Sequence, residues 1–138
     1  MNELAMCGYC CDQCEAFVAN VQRKDEREKL SAMWKKYYNL NYKADEIYCD
    51  GCRCNKPNAK RIDMDCPVRK CVIKKTLTHC GECEEYPCET FKLREGMCIE
   101  EAKMQLREHF STDEYVKYLS AYDNKTRLDE YIKSNKMH

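Results

Sequence analysis

The sequence predicts a small, metal-stabilised, mainly α fold in which irregular Cys-rich loops and zinc-knuckle turns are followed by a helical C-terminal segment. Three observations lead there. Thirteen of the 138 residues are cysteine, and all of them lie between Cys7 and Cys98. Two C-x2-C turns carry an internal glycine, Cys49-Asp50-Gly51-Cys52 and Cys80-Gly81-Glu82-Cys83. Between and after the clusters, apolar residues recur at the 3.6-residue spacing of helices. The chain is expected to divide near residue 98 into a cysteine-rich metal-binding domain, residues 1–98, and a helical segment, residues 99–138, packed on it.

Taken in order, Phe17, Val18 and Val21 open a helical stretch, and Leu30, Met33, Trp34, Tyr37 and Tyr38 follow an i, i+3, i+4, i+7, i+8 pattern. Asp25 stands where a cap for the second helix belongs, with Glu28 three residues later as in a capping box. Residues 51–67 hold two prolines and no periodicity, which reads as an irregular excursion in need of anchoring. Pro87 suits the first turn of a short helix through Phe91 and Leu93, ended by Gly96. In the tail, Ile99, Ala102, Leu106 and Phe110 form one apolar face. Ser111-Thr112-Asp113-Glu114 is a capping box that opens a helix with Tyr115, Tyr118, Leu119 and Tyr122 on one side. A last short helix carries Leu128, Tyr131 and Ile132. Ten tyrosines at such spacings read as core rather than as a binding face.

Only 43% of the residues are hydrophobic even with cysteine counted, so burial alone makes a thin core. Lys plus Arg equals Asp plus Glu at 24 each, which argues against binding to nucleic acid by bulk charge and leaves only the basic stretch from Arg53 to Lys75 as a local candidate. No run approaches the roughly 18 apolar residues of a membrane span, and Met1-Asn2-Glu3-Leu4-Ala5-Met6 has neither a basic start nor an apolar run. The expectation is therefore a cytoplasmic protein that does not engage membranes. A framework of many disulfides does not persist in a reducing compartment, and thirteen is odd, so metal binding is the default reading.

Glycine inside a C-x2-C turn permits a tight backbone and lets two thiolates meet one ion. Zinc takes four such ligands in a tetrahedron at about 2.3 Å, commonly as two pairs distant in sequence. Cys66 and Cys71 are the natural partners of Cys49 and Cys52, because an ion there would staple the irregular loop. The clusters Cys7, Cys10, Cys11, Cys14 and Cys80, Cys83, Cys88 would supply a second site that bridges them, or one ion each with His79 completing the later one. His109 and His138 do not read as ligands. Cys7-x3-Cys11-x2-Cys14 also has the spacing that holds a [4Fe–4S] cluster in radical S-adenosylmethionine enzymes. The chain lacks the length and the strand–helix alternation of their barrel, yet thiolates bind iron and zinc alike, and a cluster remains the alternative cofactor.

No nucleophile–base pairing, phosphate loop, His-Glu-x-x-His or nucleophile elbow is present, so the sequence names no reaction. From Arg53 to Lys75, eight basic residues against two acidic ones leave an excess of six positive charges. A tetrathiolate zinc centre is doubly negative, and compensation of that charge is the preferred reading over a nucleic-acid patch. Between Glu82 and Glu89 the bias reverses, so the two segments are expected to face each other.

Cys7-Gly8-x-x-Cys11-x-x-Cys14 followed by Phe17, then Cys49-Asp50-Gly51-Cys52, Cys66, Cys71, Cys80-x-x-Cys83 and Glu85-Tyr86-Pro87-Cys88 together resemble a prokaryotic cysteine-rich family catalogued only as a domain of unknown function. The resemblance spans roughly residues 7 to 93. It implies that these ten cysteines are the framework of the fold, with zinc the suspected metal, and it implies no activity. Cys10, Cys54 and Cys98 depart from the pattern and are treated as accessory. The expected function is a zinc-binding protein with structural metal sites, a binding or scaffolding module for an unidentified protein partner, more readily a non-enzyme than an enzyme. An iron–sulfur redox protein or sensor is the first alternative, and a metal-storage or thiol-delivery protein the second.

Overall fold

A computed structural model describes residues 4–54 and 56–136, and among these residues seven helices and the turns between them carry the chain. The readings that fall on residues 1–3 and on His138 lie outside the described residues. Among the described residues there is no strand. Two isolated bridges, Leu4 with Cys10 and Phe17 with Cys49, join segments of the cysteine-rich half.

Helix α1 (Val18–Arg23) is a short run before α2 (Arg27–Tyr38), whose Leu30, Trp34 and Tyr37 are buried at positions i, i+4 and i+7 as the periodicity requires. The start of α2 differs from expectation by one residue. Glu26 is at the N-cap, while Asp25 accepts the Arg27 backbone N–H at 3.1 Å and grips its guanidinium. The helix ends at Asn39, which adopts the left-handed conformation at φ 56° and donates its N–H to the Lys35 carbonyl.

Residues 48–66 form the irregular excursion, and its anchors are arginines. Arg53 reaches the Leu4 and Thr78 carbonyls, Arg61 those of Gly51 and Cys54, and Arg69 that of Cys52. Pro67 then starts α3 (Pro67–Lys74), with Val68 and Val72 buried. A 3₁₀ turn at Cys80–Glu82 precedes α4 (Glu89–Lys92). Pro87 lies before that helix rather than in its first turn. Cys88 is the N-cap, and its sulfur accepts the Phe91 N–H at 3.5 Å.

The tail is helical as expected: α5 (Ile99–Leu106), α6 (Thr112–Glu114), and α7 (Asn124–Lys136). Ser111 caps α6, its hydroxyl accepting the Glu114 N–H at 3.4 Å. The Glu114 carboxylate meets Lys36 and the Tyr37 hydroxyl on α2 instead. Beyond Glu114 the chain widens into a π-turn, Tyr115–Leu119, then tightens into a 3₁₀ turn, Ser120–Tyr122. That departure from 3.6 residues per turn brings Tyr115, Tyr118, Leu119, Ala121 and Tyr122 all inside. The last helix, with thirteen residues, is longer than the short one expected.

Two cores result, and the tail enters both. The larger joins α2, Ala16 and Ile47 to Ala102 and the Tyr115–Tyr122 turns. The smaller joins Ala5, Cys7, Val68, Val72, Cys80 and Phe91 to Leu128 of α7. Gly8, at φ +95°, is where Leu128 seats. A Cβ there would lie 2.8 Å from the Leu128 Cγ. Gly96 does not end α4, which stops at Lys92. A Cβ on Gly96 would stand 1.8 Å from the Tyr122 carbonyl oxygen, so glycine permits the tail to cross there.

Candidate metal centres

All thirteen cysteines are free thiols, and ten of them line two cavities. The first cavity begins with two knuckles. In the N-terminal one, Gly8 turns the chain so that its N–H reaches the Ala5 carbonyl, and the 3₁₀ turn at Cys11–Gln13 returns the Cys14 N–H to the Cys11 carbonyl at 3.0 Å. In the second, the Gly51 N–H points at Cys49 Sγ at 3.4 Å. The bridge between Phe17 and Cys49 locks the knuckles side by side, with Val18 N–H on the Cys49 carbonyl and Cys49 N–H on that of Ala16, each at 2.9 Å. The Met6 N–H donates to Cys52 Sγ at 3.1 Å. Cys66, the N-cap of α3, completes the ring.

Cys7, Cys11, Cys14, Cys49, Cys52 and Cys66 thus face one chamber of about 500 Å³, otherwise walled largely by apolar and aromatic side chains. Burial pushes the Cys7 thiol up to about 12 and the Cys14 thiol up to about 11. Cys11 and Cys52 are raised too, chiefly by burial and further by the neighbouring sulfurs. Without a cation among them these thiols keep their protons.

The second cavity is of a different size, about 10 Å³, and four cysteines line it: Cys71 from α3, Cys80 and Cys83 flanking the 3₁₀ turn, and Cys88 at the head of α4. Burial, followed by the charges of Cys88, Cys71 and Cys83, pushes Cys80 up to about 12. The Lys75 ammonium stands 3.1 Å from Cys83 Sγ and 3.6 Å from Glu85. That ion pair is one place where the basic stretch meets the acidic segment.

Of the expected set Cys49, Cys52, Cys66 and Cys71, the first three line the larger cavity and Cys71 lines the smaller one. Five residues apart across the first turns of a helix, Cys66 and Cys71 face different sides, one toward each cavity. His79 is buried and caps the 3₁₀ turn. Its Nδ1 accepts the Gly81 N–H at 3.0 Å while its ring packs edge-on against Tyr131 at 4.5 Å, so it completes the turn's hydrogen bonding. Of the accessory cysteines, Cys10 is fully buried, Cys54 borders a third cavity beside the second knuckle, and Cys98 heads α5 with its thiol on Glu101 at 3.3 Å. Among the described residues, no three Cys, His, Asp or Glu side chains converge closely enough to grip a single ion. The thiols surround their cavities without forming a closed tetrahedron.

Two features escaped the sequence reading. Lys75 lies four residues after Cys71, on the same helical face, a spacing that marks it as that cysteine's neighbour. The Tyr122 contact with Cys14 spans 108 residues, and no local pattern announces it. Neither the curated proteins nor the solved structures hold a match to the chain. Residues 3–93 match the family described as "Protein of unknown function (DUF3795)". This match takes in about two thirds of the chain and every cysteine that lines the larger and the smaller cavity, and the chain belongs to that family.

Proposed function

We propose that this chain is a thiolate metal-binding protein in which Cys71, Cys80, Cys83 and Cys88 hold a structural Zn²⁺, and that its role is to present a binding or scaffolding surface to a protein partner. One observation carries the reading: four cysteines from three separate elements border a cavity of about 10 Å³. That space is about one small sphere, and the donor set, four sulfurs, suits zinc. The residues fit the ion by type and number, and binding would draw the four sulfurs inward onto it.

Zinc bound there would tie α3, the Cys80–Glu82 turn and α4 together, in a part of the chain whose helices are only four and eight residues long. Isolated helices of that length are not stable, so a crosslink supplies what propensity does not. Lys75 offsets the negative charge that four thiolates around one divalent ion would carry. Four sulfurs closed on one ion would leave no coordination position for substrate, which favours a structural role over a catalytic one. The arginines of the basic stretch are engaged with backbone carbonyls, which favours a protein partner over nucleic acid.

The test is elemental analysis of the purified protein beside its Cys83→Ser and Cys71→Ser variants, with circular dichroism before and after a strong chelator. One zinc lost in each variant, and a chelator-induced fall in melting temperature, are expected. Zinc retained by both variants, or cooperative melting unchanged after complete metal removal, overturns the assignment.

A further inference from the structure

We propose that the six-thiol chamber is a second, polynuclear centre that seats a [4Fe–4S] cluster on four of its thiols, with Cys11 and Cys52 among them. The inference rests on the reading that this chain's thiols bind metal, but it concerns a different set of cysteines. Three observations carry it.

The first is size. The chamber, at about 500 Å³, is far larger than the cavity lined by Cys71, Cys80, Cys83 and Cys88. A single ion with sulfurs at about 2.3 Å draws its ligands into contact and leaves no void between them. A core of four irons and four sulfides occupies space of its own.

The second is placement. Six cysteines from three segments of the chain line one chamber. In a cluster each cysteine binds a different iron, so the ligands stand apart around the core. The two C-x2-C pairs, Cys11 with Cys14 and Cys49 with Cys52, come from opposite knuckles and are fixed side by side by the Phe17–Cys49 bridge.

The third is the surrounding shell. Backbone N–H groups are already aimed at two of the sulfurs, Met6 at Cys52 and Gly51 at Cys49. Phe17, Trp34 and Tyr38 line the chamber, and Arg61 and Arg69 stand at its border. Backbone amides on sulfur, an apolar wall and nearby cations stabilise an anionic cluster and govern its potential. On binding, each ligand thiol releases its proton and its sulfur coordinates one iron, with no change in the oxidation state of the cysteine.

The experiment is anaerobic incubation of the full chain with ferric iron, sulfide and excess dithiothreitol as reductant, followed by desalting. Iron, acid-labile sulfide, zinc and the visible spectrum are then measured on the parent and on Cys11→Ser, Cys52→Ser and Cys83→Ser. Iron and sulfide in equal amounts with a brown absorption band are expected in the parent and in Cys83→Ser. About a tenfold loss of both is expected in Cys11→Ser and Cys52→Ser, with zinc retained. Iron that binds equally to all four proteins, or zinc in place of iron that disappears with Cys52→Ser, overturns the proposal. Loss of zinc in Cys83→Ser is scored separately, so the zinc assignment and the cluster assignment fail independently. Far-ultraviolet circular dichroism of the two chamber variants confirms that they are folded, and Cys11 and Cys52 are only half-buried, which favours it.

Discussion

The Tyr122 hydroxyl lies 3.0 Å from Cys14 Sγ, and it also accepts the indole N–H of Trp34 at 3.1 Å. One phenol thus joins the helical tail to a knuckle cysteine and to the centre of α2. Both Tyr122 and Trp34 are buried, so water cannot replace the bond. In Tyr122→Phe the Trp34 N–H loses its partner, and the expected cost is about 1–3 kcal/mol of unfolding free energy. Urea unfolding followed by tryptophan fluorescence reads this directly, because Trp34 is the chain's single tryptophan. A midpoint equal to the parent's would show that the bond contributes nothing.

Asn124 holds three segments at once. Its amide nitrogen donates to the Cys7 carbonyl at 2.9 Å and the Arg94 carbonyl at 3.0 Å, and its oxygen accepts the Gly96 N–H at 3.0 Å. The side chain is fully buried. Replacement by leucine, similar in volume, strands one donor and two acceptors inside the protein. A loss of about 2–4 kcal/mol is expected, more than for a typical surface change. Thermal melts of Asn124→Leu and Asn124→Asp test it; stability within about 0.5 kcal/mol of the parent in both would refute the clamp.

Lys75 tests the charge balance of the small cavity. Its amine is held above the ordinary lysine range first by the Cys83 sulfur, with Glu85 adding to it. Substitution by glutamine keeps the length and removes the charge. Zinc retention against a competing chelator is expected to fall by about tenfold, and more at low salt than at high salt. Unchanged retention at both ionic strengths would separate Lys75 from the site.

Much of this arrangement is visible in the chain, and what is hidden has a physical reason. Residues 112–122 follow apolar spacing only in part, since their π and 3₁₀ turns depart from the 3.6-residue repeat. The helix of residues 27–38 follows from that spacing, because a helix records its buried face locally. Ser111 announces its cap for the same reason. The grouping of cysteines does not follow from spacing. Cys66 and Cys71 look like a pair, and only the helix between them, with 100° of turn per residue, sends them to different cavities. Pro87 shows a further limit, since it lies before the helix whose first turn it suits, and the N-cap is Cys88. Long-range contacts such as Tyr122 with Cys14 or Asn124 with Cys7 are set by how the tail crosses Gly96, and that path is a property of the whole fold.

Buried thiols define the behaviour of the metal-free protein. Cys7 and Cys80 are pushed up to about 12 and Cys14 up to about 11, each mainly by burial. An acid raised on folding favours the folded state below its unfolded value, near 9, and that contribution disappears as the pH rises through the folded value. The metal-free chain is therefore expected to lose stability between about pH 9 and 12. At neutral pH these three thiols react slowly with iodoacetamide, because only the thiolate attacks. Mass spectrometry of partly alkylated, chelator-treated protein locates the label; preferential labelling of Cys7, Cys14 and Cys80 while the protein remains folded would contradict their burial as protonated thiols.

Two carboxylates govern the acid side with opposite signs. Glu26 is buried and lies against Lys117 and Tyr118, each at 3.2 Å. The Lys117 bond, above all, holds its carboxyl below the usual range. A depressed carboxyl stabilises the fold above its unfolded value and loses that contribution as the pH falls through the folded one. Glu15 is raised by burial, so its charged form opposes folding at neutral pH and protonation relieves it. Glu26→Gln is accordingly expected to be less stable than the parent at pH 7, with the gap closing as the pH drops below about 4. Glu15→Gln is expected to be at least as stable as the parent at pH 7, and any advantage shrinks on acidification. Denaturant midpoints from pH 3 to 7 for the two variants and the parent resolve both signs. Parallel pH curves for Glu26→Gln and the parent would show that the Lys117 contact does not discriminate between the folded and unfolded chain.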